Sequence, residues 1–267
     1  MPDTGGMVAV DLNADLAEGE ALSPGDLAVL AEVTSASLAC GFHAGNRRVM
    51  ADTAAAAMAR GVVIGAHVSY RDREGFGRRP LPVAAARLVG DIDEQCTVLD
   101  EVVGALGGVV AYVKPHGALY NRMGTDPDVA AAVVEALVGH GHRVLVAQAG
   151  TVVVDVARKA GLQVVPEAFP DRGYRPDGSL TPRERPGSVV DDPDLVAARA
   201  VSLVAGGIEA TDRTWVAVPT ATLCIHGDSP HAAGTAAAVR SALAAAGVDV
   251  KPFLTGPVTG PVRPSPR

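Results

Sequence analysis

Four of the seven histidines in this 267-residue chain each stand at the end of a short apolar run. They are His43 in LACGFHAGN, His67 in VVIGAHVSY, His116 in YVKPHGALYN and His226 in TLCIHGDSPH. Imidazole transfers protons near neutral pH and, when neutral, binds divalent metals. One such histidine is usually structural, but four at equivalent positions indicate a shared site, because buried titratable groups are costly without a function.

Carboxylates, an amide and a lysine accompany these histidines at the ends of the same runs. Asp11, Asn13 and Asp15 end the first run, and Glu167 with Asp171 end the sixth. Carboxylates and imidazoles supply general acids and bases, and a lysine supplies a compact donor for an oxyanion or phosphate. The sequence therefore predicts a catalytic set of Asp15, His43, His67, Lys114 and His116. The predicted substrate-binding or phosphate-binding set contains Asn13, Glu167, Asp171, His226 and Asp228.

Two long polar segments, residues 68–82 and 170–192, follow predicted strands and are rich in arginine. Loops of this length inside a domain are usually functional or mobile. Their arginines form either a solvated surface or a rim that attracts anions. If they form a rim, Arg78, Arg79 and Arg172 are the candidates for binding a carboxylate or a phosphate.

Short β-branched runs alternate with longer Ala-rich runs, and this order positions the polar residues. The predicted strands are 7–11, 37–40, 62–66, 109–113, 143–147, 163–165 and 222–225. The predicted helices are 25–32, 47–60, 83–106, 128–140, 151–160, 195–205 and 231–246, and His140, His142 and His231, on helices or at helix ends, are interpreted as structural. Apolar strands joined by helical crossovers indicate a parallel sheet, either a (β/α) barrel or a doubly wound sheet. In both folds the carboxyl ends of the strands form the active face.

Composition excludes several classes of protein. With 48% hydrophobic residues and a formal charge of −7, the chain fits neither a disordered protein nor a nucleic-acid-binding domain. Neither a signal-peptide pattern nor a long apolar stretch is visible, so no membrane role is expected, and three cysteines indicate a reduced, cytoplasmic protein. We find no linker that divides residues 1–267 into domains, and no nucleotide-binding motif of the P-loop or Rossmann kind.

Six segments resemble the LamB/YcsF family, whose members form one of the three subunits of bacterial ATP-dependent 5-oxoprolinase. They are DLNADLAEGE at 11–20, SLACGFHAGN at 37–46, GAHVSYRDREGFGRR at 65–79, VKPHGALYN at 113–121, EAFPDRGYRPDGSLTPR at 167–183 and LCIHGDSPHA at 223–232. The chain departs from the family where Ala17 replaces a common glycine, Asn46 an aspartate and Val68 a proline.

The resemblance implies an α/β fold of one domain, a distorted barrel of about seven parallel strands similar to polysaccharide deacetylases. It implies the opening of 5-oxo-L-proline (pyroglutamate) to L-glutamate with ATP hydrolysis, together with separate subunits B and C. Asp15, His43 and His67 match the composition of the divalent-metal triad in the related deacetylases. Direct acid/base chemistry by the same groups is the alternative to a metal. A stand-alone metal-dependent amide hydrolase and a non-catalytic lactam-binding subunit remain the alternative functions.

Overall fold

Seven parallel strands close into a barrel in the computed structural model, which describes residues 8–142, 144–226 and 231–254. The barrel strands are β1 (Ala9–Leu16), β2 (Ser35–Ala39), β3 (Val63–His67), β4 (Val110–Val113), β5 (Val144–Gln148), β6 (Gln163–Ala168) and β9 (Thr222–Ile225). Strand β1 pairs with β2 on one side and with β9 on the other, and β6 also pairs with β9, so the sheet has no free edge at this point. The fold class predicted from the sequence is confirmed.

Three further strands lie outside the closed ring. Strands β7 (Gly207–Glu209) and β8 (Trp215–Ala217) form a separate antiparallel pair, and β10 (Asp249–Val250) pairs with the start of β1. The sequence analysis did not predict them, because each is only two or three residues long.

Eight described helices accompany the strands. They are α1 (Pro24–Leu30), α2 (Arg47–Met58), α3 (Ala85–Ala105), α4 (Gly117–Met123), α5 (Pro127–His140), α6 (Val152–Lys159), α7 (Pro193–Val204) and α8 (Ala232–Ala245). Seven agree with predicted helices within a few residues, and the short helix α4 was not predicted. None of the described helices combines the length and the apolar composition needed to span a membrane.

Strand β1 is longer than its prediction, residues 7–11, and this difference matters for the site. Asp11, Asn13 and Asp15 lie within the strand rather than beyond its end. Alternate side chains of a strand face opposite sides of the sheet. The three polar side chains therefore line the inside of the barrel, while Leu12 and Ala14 pack into the hydrophobic core.

The ring of Tyr112 packs against Gly65 and fills the barrel interior beside these polar residues. A Cβ atom on Gly65 would lie 2.2 Å from the ring of Tyr112, so only glycine fits on β3 at this level. The Tyr112 hydroxyl lies 3.1 Å from the Ser37 hydroxyl. The ring and its hydrogen bond close the interior next to the base of the site.

Candidate active site

Lys114 lies at the centre of a buried polar network inside the barrel. Its Nζ is 2.9 Å from Asn13 Oδ1, 2.9 Å from Asp15 Oδ1 and 2.7 Å from Glu167 Oε1. The Sγ of Cys224 is 3.1 Å away. An ammonium group has three hydrogens to donate, and here each has an acceptor within the protein. Lys114 is 2% exposed, so it acts on the site through these neighbours.

The charges in this network stabilise one another. Burial disfavours the charged forms of both Lys114 and Asp15. The carboxylates of Asp15 and Glu167 nevertheless hold the pKa of Lys114 well above its ordinary value. His67 and Lys114 hold the pKa of Asp15 well below its ordinary value. Asp15 is therefore an ionised carboxylate at neutral pH.

Asp11 occupies the lower end of the same strand face and has only hydroxyl partners. Its carboxylate accepts hydrogen bonds from Thr34 Oγ1 at 2.7 Å, Ser35 Oγ at 2.8 Å and Thr222 Oγ1 at 2.5 Å. Burial raises the pKa of Asp11 to about 6, against the effect of these hydroxyl donors. The lower part of the barrel thus holds a carboxyl group without a cationic partner among the described side chains that contact it.

Three histidines cluster at the upper end of the barrel. The rings of His43 and His116 stack with centroids 4.0 Å apart, and His67 meets both rings edge-on. Gly77, from the loop after β3, packs over them, and a Cβ atom there would lie 2.8 Å from His116. These three histidines are among the five predicted catalytic residues, and the structure brings all five together.

Each ring of this cluster has one nitrogen fixed by an acceptor on its outer side. His67 Nδ1 donates to the Lys114 carbonyl at 2.9 Å, and His116 Nε2 donates to the Phe76 carbonyl at 2.8 Å. His43 Nδ1 is 2.9 Å from the Ser69 hydroxyl, which gives its own proton to a backbone carbonyl. The three remaining nitrogens point inward.

The inward nitrogens require a shared cation. His67 Nε2 and His116 Nδ1 lie 2.9 Å apart, and two lone pairs at that distance repel unless a proton or a metal ion lies between them. Burial and the neighbouring histidines lower the pKa of His43 well below its ordinary value and that of His116 to about 3. Neutral imidazoles with an outer N–H held by an acceptor are the form in which histidine binds metals.

Glu18 is the carboxylate of this cluster, and the sequence analysis did not select it. One possible ligand atom from each of Glu18, His43, His67 and His116 lies within 4.8 Å of the others. The metal triad proposed from the resemblance was Asp15, His43 and His67. In the structure Asp15 Oδ2 lies 3.3 Å from His67 Nε2, while Asp15 Oδ1 contacts Lys114.

The turn after β1 directs Glu18 back toward the histidines. Ala17 has a φ of 61°, in the left-handed region that favours glycine. Glu18 Oε1 then lies 3.2 Å from His43 Nε2. The spacing in DLNADLAEGE contained the signal, since Glu18 follows Asp15 by three residues, but the reversal of the chain at Ala17 was not visible in it.

His226 and Asp171 form a separate pair at the same end of the barrel. His226 Nδ1 lies 2.5 Å from Asp171 Oδ2, and the ring stacks on Phe169. A carboxylate that orients an imidazole is the arrangement of a histidine base. Asp228, also predicted in this set, lies outside the described residues.

The three predicted anion-binding arginines have different surroundings. Arg172 is 7% exposed and donates to the Thr181 and Ser188 carbonyls, so it stabilises its own loop. Arg79 pairs with the buried Asp72, and its Nε donates to that carboxylate at 2.9 Å. Arg78 lies over the ring of Phe76, 5.0 Å from its centroid.

A cleft of about 270 Å³ opens above the barrel and is lined by Asp15, Glu18 and Phe76, among others. Small-molecule sites usually measure roughly 300–1,000 Å³, so this cleft suits a compact ligand. Its lining includes the carboxylates of Asp15, Glu18 and Asp26, and the first two of these contact the histidine cluster.

A sequence profile of the LamB/YcsF family matches residues 10–257. The chain belongs to this family. A family relative from Mycobacterium avium (strain 104), named as the A subunit of 5-oxoprolinase, is 48% identical over 252 residues, which cover 92% of this chain and 100% of that protein.

A solved structure agrees with the family assignment. The crystal structure of a lactam utilization protein from Thermus thermophilus is 42% identical, with a TM-score of 0.86 over 92% of this chain and 100% of that one. A more distant structure, a family 4 carbohydrate esterase from Streptomyces lividans, is 12% identical, with a TM-score of 0.48 over 96% of this chain and 98% of that one.

Proposed function

We propose that this LamB/YcsF chain is the A subunit of an ATP-dependent 5-oxoprolinase. In this reaction 5-oxo-L-proline, ATP and two waters give L-glutamate, ADP and phosphate. The observation that carries the proposal is the 48% identity to a protein named as the A subunit of 5-oxoprolinase, along that protein's whole length. The position of the predicted catalytic residues at one end of the barrel supports it.

The size of the cleft supports a small cyclic amide as the substrate. A cleft of about 270 Å³ matches one five-membered lactam with its carboxylate better than a nucleotide. We therefore assign the lactam to this chain and assign ATP binding to the assembled complex. Arg78, beside Phe76 at the cleft, is the arginine best placed for the substrate carboxylate or a phosphate.

The ionised Asp15 is the group that we assign as the base for water. It lines the cleft, and Lys114 holds it in place and in its charged form. A five-membered lactam is a stable amide, so its carbonyl needs prior activation, which a phosphoryl group from ATP supplies. Attack of one water then breaks the C–N bond and leaves an acyl phosphate of glutamate, and that water's proton passes to Asp15. The second water hydrolyses the acyl phosphate to glutamate and phosphate.

The ring nitrogen needs a proton as it leaves. A proton held between His67 Nε2 and His116 Nδ1, which lie 2.9 Å apart, would be close to Asp15, and we assign this pair as that acid. His226, oriented by Asp171, is a second candidate for proton transfer. A divalent metal held by Glu18, His43, His67 and His116 would polarise a carbonyl or a water when bound.

The cellular setting follows from the same proposal. Subunits B and C are the proposed partners, since the relative's name describes one subunit of a larger enzyme. The cytoplasm is the proposed location, which the three free, buried cysteines support. We propose that the chain forms one domain, because its described helices all accompany one closed barrel.

A second candidate function is a metal-dependent amide hydrolase that acts without ATP. The inward-facing nitrogens of the histidine cluster favour it, because a metal ion would relieve their repulsion. The two functions differ in their need for ATP and for partner subunits.

The test is a reconstitution with subunits B and C. Purified subunits are mixed with 5-oxo-L-proline and ATP, and glutamate and ADP are measured while each subunit, ATP or added Zn²⁺ is omitted in turn. The proposal predicts equal amounts of glutamate and ADP when all three subunits and ATP are present, and no glutamate when a subunit or ATP is omitted. Glutamate made by this chain alone without ATP would replace it with the metal hydrolase, and full turnover without this chain would make it a non-catalytic subunit.

A further inference from the structure

A second group of histidine and carboxylate side chains lies outside the barrel, where α3 packs against the end of α5. One possible ligand atom from each of Asp100, His140 and His142 lies within 4.8 Å of the others. His140 and His142 are each 2% exposed, and their rings stack with centroids 5.1 Å apart. We infer that these three residues bind a divalent cation of the zinc class.

The ring of His140 is oriented as a metal ligand would be. Its Nδ1 lies 2.6 Å from Asp93 Oδ1, and its Nε2 lies 2.8 Å from Asp100 Oδ2. Histidines that bind metals almost always donate their second ring nitrogen to a carboxylate or carbonyl, which fixes the ring and makes the ligand more basic. Asp93 is that carboxylate, so the ion would replace the proton that lies between Nε2 and Asp100 Oδ2.

Asp100 has one carboxylate oxygen to spare. Oδ1 is buried and has no hydrogen-bond partner among the described residues. Buried polar atoms in folded proteins are normally satisfied, and an exception calls for an explanation such as a bound ion. A cation beside this carboxylate would explain why Oδ1 has no hydrogen-bond partner.

The backbone brings the two histidines to the same side. His140 ends α5, and Gly141 follows with a φ of 98°, so the helix stops between the two histidines. In a continued helix, residues two apart would face away from each other. The left-handed glycine therefore makes the His-x-His sequence a chelating pair.

Small movements would complete the coordination. Zinc bonds of about 2.0–2.2 Å to nitrogen and oxygen place tetrahedral ligand atoms about 3.4 Å apart. His140 Nε2 and Asp100 Oδ2 would separate by roughly 0.6 Å to admit the ion. The side chain of Asp100, on the Nε2 side of the ring, is 17% exposed, which marks the route from solvent, and water takes the fourth position. Two imidazoles and one carboxylate suit zinc better than magnesium or calcium.

The ion would join α3 to the turn between α5 and β5, away from the cleft above the barrel. Its expected effect is on stability rather than on turnover. The inference is therefore independent of the proposed function.

The test is Zn²⁺ binding by the full chain after chelator treatment, measured by competition with a chromogenic chelator. Because the histidine cluster at the barrel mouth also binds metal in principle, all variants are made in the H43Q/H116Q background. We expect this background to bind one equivalent. D100N and H142Q are each expected to lose it, and H231Q, an exposed histidine at another helix end, keeps it. D93N is expected to keep the stoichiometry with about 10–100-fold weaker affinity.

Thermal unfolding gives a second readout in the same background. Zn²⁺ should raise Tm in the background protein and in H231Q but not in H142Q. Unchanged Zn²⁺ affinity in H142Q or D100N would overturn the inference, as would a background protein that binds no Zn²⁺. Circular dichroism in excess chelator confirms that each variant is folded, and if D100N is unfolded, H142Q alone decides.

Discussion

Asp11 and Asp15 stand four residues apart on β1, both face the inside of the barrel, and their pKa values move in opposite directions. Burial raises the pKa of Asp11 to about 6, because its hydroxyl partners do not compensate for the loss of water. Asp15 is also buried, but His67 and Lys114 hold its pKa well below the ordinary value. The same residue type on the same strand therefore has a different charge preference at the two levels of the barrel.

The difference shows that cations, rather than burial, set the chemistry of the upper level. Lys114 is placed by β4 against β1, and its ion pairs with Asp15 and Glu167 keep an ionised carboxylate at the floor of the cleft. Asp11, below it, contacts no cationic side chain in the described part of the protein and lies away from the cleft lining. We expect variants of the upper level to affect turnover and variants of the lower level to affect stability.

Lys114→Met should have the largest effect of the variants considered, because it removes the cation that makes Asp15 differ from Asp11. It removes the cation and leaves Asp15 and Glu167 as neighbouring buried carboxylates, which costs about 3–5 kcal/mol of stability. Turnover of the reconstituted enzyme should fall at least ~100-fold, because loss of the Lys114 charge raises the pKa of Asp15, so that less of it is ionised to accept a proton. Denaturant unfolding and glutamate release measure the two effects.

The matched control is Lys251→Met, since the ion pair of Lys251 among the described residues is an exposed one with Asp249. It should change stability by less than ~1 kcal/mol and leave turnover unchanged. Equal effects from the two lysine variants would contradict a special role for Lys114.

His67→Gln should lower turnover by about 100-fold or more while costing less stability than Lys114→Met. The variant removes the His67 ring that we assign to the acid but leaves the ion pair between Lys114 and Asp15 in place. The kcat of the complete complex is the measurement, with His231→Gln as the control. A near-normal kcat would remove His67 from the catalytic set.

Asp11→Asn tests the raised pKa of Asp11 through the pH dependence of the free energy of unfolding. The folded pKa of Asp11, about 6, is above the ordinary value of 3.8, so the folded protein binds this proton more tightly than the unfolded chain does. This carboxyl therefore stabilises the fold fully below pH 3.8, and that contribution is lost as the pH rises to about 6. The size of the loss is about 3 kcal/mol.

The measurement is the free energy of unfolding of both proteins between pH 4 and pH 8. Asparagine cannot ionise, so the stability of Asp11→Asn relative to the unchanged protein should rise from pH 4 to about pH 6 and then level off. A constant difference between the two proteins would contradict the raised pKa.

Ala17→Gly should give the smallest effect, a gain of up to ~1 kcal/mol. Relief of the left-handed φ at this position is worth about 1–2 kcal/mol, and the greater freedom of glycine in the unfolded chain offsets part of it. Tm is the measurement. A lower Tm would mean that the Ala17 methyl group packs well enough to outweigh the backbone strain.

The sequence predicted the order of barrel strands and most helices, because continuous apolar runs and Ala-rich runs carry a clear signal. It did not predict the full length of β1, since Asp11, Asn13 and Asp15 alternate with apolar residues and resemble a polar loop. A barrel interior that holds charged side chains reverses the usual pattern of a buried strand. The predicted strand 163–165 likewise ended before the buried Glu167, which lies within β6.

The predicted catalytic residues do meet, because all stand on strands or at strand ends of one closed barrel. Their pairings were not predictable, since these depend on distances between residues far apart in the chain. Lys114, for example, is 101 residues from Asn13 and 110 from Cys224. Glu18 was missed because its position depends on one left-handed residue.

The most direct test of the account is the titration of Asp11 and Asp15 themselves. Carbon-13 NMR of aspartate-labelled protein follows each side-chain carboxyl, with Asp11→Asn and Asp15→Asn to assign the two signals. We predict that Asp11 titrates near pH 6 while Asp15 stays ionised down to the lowest pH at which the protein is folded. Titration of Asp15 at or above the midpoint of Asp11 would contradict the account.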